Sequence, residues 1–314
     1  MQYRTLGATG LRVSVIGFGT WGLGGAVDGA VAYGPTQDAQ SVAALHAAQA
    51  LGVNFFDTAD FYGFGHSEEV LGAAFRTVRD KVVIASKGGM LRDGRQDFSP
   101  AHLRSALEGT LRRLGTDYVD LYQLHSPSLE ALRRDELRRT LEAFRAEGKI
   151  RAYGVSARSP EDAAAAVSEL GYKCVQANFS LVDQRALECG LFEACRLSGA
   201  AVIARTPLCF GFLTGCYSAA TAFDAHDHRN RWPREQRERW ADALGLFVKN
   251  QDSPAQFALR FCLSYPEVAS AIPGMLTPEH VQENGAAGDL GPLAQGEIEQ
   301  IAAVYRQHSF FVGA

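Results

Sequence analysis

The chain has 314 residues, enough for one large α/β domain or two smaller ones. Its net charge of −4, with no basic stripe, excludes the usual footprint of a nucleic-acid binder. No apolar run approaches a membrane span, and the N-terminal MQYRTLGATGLRVS lacks the uninterrupted apolar core of a secretory leader. The six cysteines contain no C-x-x-C pair and fall mostly in apolar runs of the second half. That usage fits buried free thiols in a reducing cytoplasm.

Short apolar strands alternate with longer amphipathic stretches. Tyr3–Leu6 and Leu11–Val13 flank a Gly-Ala-Thr-Gly turn and predict a small β-hairpin ahead of the main fold. Strands are then expected at Val15–Gly19, Asn54–Asp57, Val82–Ser86, Val119–Leu124, Ala152–Ser156, Cys174–Asn178, Val202–Arg205 and Ala269–Ile272. Helical patterns separate them at Asp38–Leu51, Ser67–Thr77, Pro100–Leu114, Asp135–Glu147, Pro160–Leu170 and Leu187–Ser198. Ser99-Pro100 and Ser159-Pro160 are good helix starts, Ser as N-cap and Pro in the first turn. Eight strands alternating with helices, without a linker, predict an α/β fold of the (β/α)8 TIM-barrel type over residues 1–314 as one domain. Two loops interrupt the rhythm, Gly22–Gly34 and Cys209–Trp232, both on the face where a barrel binds ligands. The charged run Arg229–Arg239 reads as a solvated helix start.

Gly17, Gly19 and Gly22 fit G-x-G-x-x-G after a strand. A Rossmann site also needs a helix opening at those glycines. Here the helical pattern waits until Asp38, so the motif reads as a barrel strand opening into a loop, with Trp21 projecting toward a substrate. His226-Asp227-His228 lacks the spacing of a further ligand, and no metal site is expected.

The chemistry concentrates in Asp57, Tyr62, Lys87 and His125, each at or just past a strand end. Hydride arriving at a carbonyl carbon leaves negative charge on oxygen, so a donor must be poised there. An acid, a phenol, an amine and an imidazole form a set able to move a proton onto such an oxygen. A Lys87 ammonium close to Tyr62 would stabilise its phenolate, a carboxylate at Asp57 would hold that ammonium, and His125 can hydrogen-bond the same oxygen. Asp57 with Lys87 alone could be a structural ion pair, and Lys87 alone could be a Schiff-base lysine of a barrel aldolase. Neither accounts for all four positions.

GVNFFDTADFYGFGHSEEVLG (Gly52–Gly72), VVIASKGG (Val82–Gly89) and DYVDLYQLHSP (Asp117–Pro127) resemble the signature stretches of the aldo-keto reductases. KIRAYGVS, VQANFSLVD, PLCFGFLTG and IPGMLTPEHVQEN continue the resemblance in order, to Asn284. It implies an oxidoreductase that reduces an aldehyde or ketone with a nicotinamide dinucleotide, using Tyr62 as the acid. A redox-sensing regulatory subunit on the same scaffold is the alternative, and the complete tetrad argues against it.

The resemblance also implies a cofactor site. Gly19, Thr20, Trp21 and Asp57 are expected near it, and Ser156, Gln176 and Asn178 on the nicotinamide carboxamide. Relatives often carry Asn where this chain has Ala157, and a stacking Tyr where it has Arg205. A guanidinium plane can take the stacking role. Thr206, Pro207, Leu208, Gly211, Leu213 and Gly215 resemble the loop that cradles a pyrophosphate. Ile272, Gly274, Thr277, His280, Glu283 and Asn284 cover the adenosine end. That end lacks the usual Lys or Arg clamp, so NADP(H) is favoured by resemblance while NAD(H) competes. Trp21, Tyr62, His125 and Trp232 are expected on the substrate. With Tyr33, Arg229 and Arg231 in the same loops, they suit a polar carbonyl compound such as an aldehyde, ketose or keto-sugar derivative. Oligomeric state is not legible.

Overall fold

The computed structural model describes residues 1–218, 220–248 and 253–313. Strands β1 (Tyr3–Thr5) and β2 (Arg12–Ser14) pair antiparallel as the expected hairpin. Eight strands follow: β3 (Phe18–Gly19), β4 (Phe55–Asp57), β5 (Val83–Gly88), β6 (Val119–His125), β7 (Ile150–Ser156), β8 (Cys174–Asn178), β9 (Ala201–Arg205) and β10 (Val268–Ala271). Each pairs in parallel with its neighbour in sequence. Parallel bridges Ile16↔Ala271 and Gly19↔Gly274 join the first and last strands and close the barrel. The first strand is shorter than expected, and Ile16 and Gly17 bond across the seam outside its regular part.

The helices pack outside, because connecting parallel strands requires a crossover on the sheet's outer face. They are α1 (Asp38–Ala50), α2 (His66–Phe75), α3 (Pro100–Leu114), α4 (Leu129–Leu132), α5 (Asp135–Ala146) and α6 (Pro160–Ser168). Then come α7 (Arg185–Glu188), α8 (Leu191–Ser198), α9 (Arg234–Phe247), α10 (Pro254–Leu263), α11 (Pro278–Leu290) and α12 (Gln295–Gln307). Ser99 and Ser159 cap α3 and α6, accepting from His102 N at 3.3 Å and Asp162 N at 3.1 Å. The single helix expected over Leu187–Ser198 is two, α7 and α8, divided at Gly190, whose φ of +76° no helix accommodates.

Strand alternation sorts the barrel interior into layers. Phe55, Ala85, Leu121, Cys174 and Ile203 form an apolar interior cluster. The hairpin plugs it with Leu6, Leu11 and Val13. Leu6 is wholly buried, worth about 1.5–3 kcal/mol as a leucine moved out of water. Two residues further along the same strands the inward positions are Asp57, Lys87, Gln123, Gln176 and Arg205. The polar layer therefore sits at the C-terminal ends of the strands.

Candidate active site

Lys87 is completely buried, and its three ammonium protons find three acceptors. Nζ lies 2.5 Å from Asp57 Oδ1, 2.8 Å from the Thr58 carbonyl and 3.0 Å from the Tyr62 phenol oxygen. Burial opposes its charge, but Asp57 and then Tyr62 outweigh that, holding the ammonium above its ordinary range. The other oxygen of Asp57 accepts from Gln123 Nε2 at 2.9 Å and Gln176 Nε2 at 2.8 Å. The carboxylate is fixed on both sides, which holds the ammonium beneath the phenol.

Tyr62 stands in a tight turn after β4. Its position depends on Gly63, which has a φ of +58° and lies against the first barrel loop. A Cβ on Gly63 would overlap the Gly24 carbonyl, and one on Gly24 would lie 2.6 Å from the Gly63 nitrogen. This backbone-to-backbone contact brings Trp21 beside Tyr62, with ring centroids 6.5 Å apart. His125, at the end of β6, meets Tyr62 edge-on at 6.0 Å and Phe61 at 6.2 Å. Burial, then the charges of Lys87 and Arg205, push this imidazole well below its usual range. It is therefore neutral at neutral pH.

A cavity of about 530 Å³ runs from these four rings across the strand ends. Its near wall is Gly19, Thr20, Trp21, Asp57, Tyr62 and His125. Gln176, Arg205, Thr206, Pro207, Leu208 and Gly211 line its middle. Ile272 and Gly274 adjoin Gly19 across the seam, and His280, Glu283 and Asn284 continue the wall from there. Lys87 is off the cavity wall and meets it through Tyr62 and Asp57. Thr206, Cys209 and Phe210 hold left-handed backbone, at φ of 52°, 46° and 56°, and Gly211 follows at 93°. Non-glycine residues forced there cost free energy and cluster at ligand-binding turns.

Several expected residues stand elsewhere. Ser156 is off the cavity wall, 3.1 Å from Arg205 Nη1 and 3.5 Å from Gln176 Oε1. Asn178 accepts from Arg205 Nε at 2.6 Å. The Arg205 side chain thus takes up part of the polar set assigned from resemblance to a carboxamide. Leu213 is core, and Gly215 ends the pyrophosphate-like turn without lining the cavity. Thr277 caps α11, accepting from His280 N at 3.3 Å. Trp232 is not at the cavity; it packs on Phe210 and Trp240, at 5.7 Å and 5.1 Å, and is partly exposed.

The Arg229–Arg239 run is not one solvated helix start. Arg229 is buried, donating to Asp227 Oδ1 at 2.9 Å and Oδ2 at 2.5 Å, and helix α9 begins only at Arg234. Asp227 bridges Ala32 and Tyr33, so the two long loops meet over the cavity. Arg229 stacks there over Tyr33, Tyr217 and Phe223. His228 sits in the same roof, 4.3 Å from Trp21 and 4.9 Å from Tyr33. His226 is exposed and faces Asp224. Cys216, alone among the six cysteines in being exposed, also lines the cavity.

Reading the sequence missed Gln123, Phe61, Met90 and Tyr217. Gln123 could have been found: two residues before His125 on one strand, it shares the inward face. Tyr217 and Met90 reach the cavity only because their loops fold back over it.

Residues 15–306 match the family model described as the aldo/keto reductase family. The chain belongs to this family. It is similar to an aldo-keto reductase of Schizosaccharomyces pombe named for NADP(+), 32% identical over 88% of this chain and 84% of that one. A second relative is the NADH-specific methylglyoxal reductase of Escherichia coli, 29% identical over 91% of this chain and 93% of that protein. Among solved structures, the holo form of an aldo-keto reductase from Bacillus halodurans matches at a TM-score of 0.80 and 27% identity, covering 98% of this chain and 99% of that one. This aldo-keto reductase is accordingly an oxidoreductase acting on carbonyl or alcohol substrates, with a nicotinamide cofactor as its family's redox partner. No helix among the described residues is long and apolar enough to cross a membrane.

Proposed function

We propose that this single-domain protein reduces an aldehyde or ketone to an alcohol with NAD(P)H, and that Tyr62 is the general acid. The observation that carries the reading is the contact of the buried Lys87 ammonium with both Asp57 and the Tyr62 phenol. A bound nicotinamide supplies the hydride that reaches the carbonyl carbon. Tyr62 gives its proton to the oxygen as negative charge develops, and Lys87 stabilises the phenolate that remains. Asp57, locked by Gln123 and Gln176, keeps the ammonium in place. Neutral His125 donates one ring N–H toward the same oxygen and sets which carbonyl face is presented.

The residues present suit such a dinucleotide. The cavity spans the ends of the barrel strands, the turn after β9 on its wall has strained left-handed backbone, and Arg205 presents a guanidinium to it. Arg205, Gln176 and Thr206 would hold the nicotinamide end, Leu208 and Gly211 the pyrophosphate, and Glu283 and Asn284 the adenine. Among the described residues lining the cavity, the only Lys or Arg are Arg205 and Arg229, and Asp227 engages Arg229. The adenosine end therefore offers no side-chain cation to a 2′-phosphate. A modest preference for NADP(H), with NAD(H) also used, is the expected result.

The carbonyl end is framed by Trp21, Phe61 and Met90 around Tyr62 and His125. An indole plane beside a proton donor suits compact oxygenated carbonyl compounds, dicarbonyls and sugar-derived aldehydes among them. The name of the Escherichia coli relative supports the same class. Consumption of NADPH or NADH against a panel of carbonyl compounds tests this. Methylglyoxal and short sugar aldehydes should be turned over faster than bulky apolar ketones, and the reverse order refutes the substrate class.

A further inference from the structure

The polar layer carries one more positive charge than its partners cancel. Arg205 ends β9 and donates to four neutral acceptors: Asn178 Oδ1 at 2.6 Å, Ser156 Oγ at 3.1 Å, the Ala157 carbonyl at 2.7 Å and the Arg158 carbonyl at 3.5 Å. Among the described residues no carboxylate lies within ion-pair distance of it. The two carboxylates whose fields reach it are already matched. Asp57 is held by Lys87, and Asp183 receives Nε and Nη2 of Arg185 at 2.8 Å and 2.6 Å. His125 is neutral and adds no compensating charge.

These hydrogen bonds run from the edge of the guanidinium, in its plane. They fix that plane and leave its faces for packing, in a side chain that lines the cavity beside Gln176 and Thr206. A fixed cation without a counter-ion distinguishes ligands by charge more than by shape. Oxidised nicotinamide carries a positive ring, whereas the reduced ring is neutral.

Building on the reductase reading above, we infer that Arg205 sets the redox preference of cofactor binding by repelling the oxidised ring and tolerating the reduced one. The reduced dinucleotide then binds more tightly, and the oxidised product leaves readily. The protein is thereby biased toward carbonyl reduction. One charge acting across a partly shielded gap of a few ångströms should separate the two affinities by roughly tenfold or more.

The test is equilibrium titration of the purified protein with NADPH, NADP+, NADH and NAD+, read by quenching of tryptophan fluorescence. Wild type should bind the reduced member of at least one pair about tenfold more tightly than the oxidised member. Arg205→Met should bring that ratio close to one, and Arg205→Lys should keep most of it. Arg205→Gln, which retains donors for Asn178 and Ser156, replaces the Met variant if that one does not fold. Equal wild-type affinities, or a ratio unchanged in the neutral variants, overturns the inference and leaves the reductase reading standing. A wild type that binds no dinucleotide overturns the reductase reading itself.

Discussion

Lys87 Nζ stands 3.0 Å from the Tyr62 phenol oxygen, and it can do so only because Asp57 holds the same ammonium from the other side. A buried lysine without that carboxylate would shed its proton and lose its hold on the phenol. The pair is thus a unit, and removing either partner leaves the other in the wrong charge state.

Replacing Lys87 with Met should cut turnover by about 10²-fold or more, since the phenolate formed on proton donation loses its stabilising charge. Dinucleotide affinity should change little. Steady-state kinetics beside fluorescence titration separates the two effects, and a parallel loss of both would assign Lys87 to binding.

Leu276 lines the cavity at the expected adenosine end, where none of the described lining residues is a lysine or arginine. Leu276→Arg should tighten NADPH over NADH by about 1.5–3 kcal/mol, the range of a hydrogen bond to a charged group. Isothermal titration with each cofactor checks this. A variant that tightens both equally would place the 2′-phosphate elsewhere.

Acid should loosen the roof. Burial pushes His228 down to about 4, with Asp227 opposing the shift. Its unfolded value is higher, so below about pH 6.5 the unfolded chain binds the proton first. Stability should therefore fall as pH drops from 6.5 toward 4, by up to about 3 kcal/mol from this residue. Urea denaturation across that range should show the slope, and His228→Phe should flatten it. An unchanged slope in the variant would assign the acid sensitivity to other groups.

Near the start of β6, on the outer face of the sheet, Asp120 is wholly buried and accepts from Arg79 at 2.8 Å, Arg151 at 2.7 Å and the Ile84 amide at 3.0 Å. Asp120→Ala leaves those donors without their shared acceptor. The expected loss is about 3–5 kcal/mol, as for breaking one side of a buried ion pair. Thermal unfolding of the variant measures it, and a change under 1 kcal/mol would mean that water replaces the carboxylate.

Much of this arrangement was legible in the sequence because its signals are local. An apolar run ending in Lys87 or His125 announces both a strand and what its end presents, and Ser99-Pro100 announces a helix start. Arg229 was misread for the opposite reason. The run RNRWPREQRER is polar by composition, and only the approach of Ala32 and Tyr33 from nearly two hundred positions away buries its first arginine. Trp232 was placed on the substrate for its chemistry, but Phe210 and Trp240 turn it away from the cavity. Arg205 was recognised as a departure from its relatives; its capture of Ser156 and Asn178 depends on the register of β7, β8 and β9, which sequence does not state.

The central claim is that Tyr62 delivers the proton. The most direct measurement is a single turnover: enzyme saturated with NADPH is mixed with a reactive aldehyde, and loss of reduced-cofactor absorbance is followed for wild type and Tyr62→Phe. The account predicts that the variant binds NADPH as wild type does and oxidises it at least about 10²–10⁴-fold more slowly, the contribution of a positioned acid. A Tyr62→Phe protein that oxidises NADPH at nearly the wild-type rate at neutral pH would contradict it.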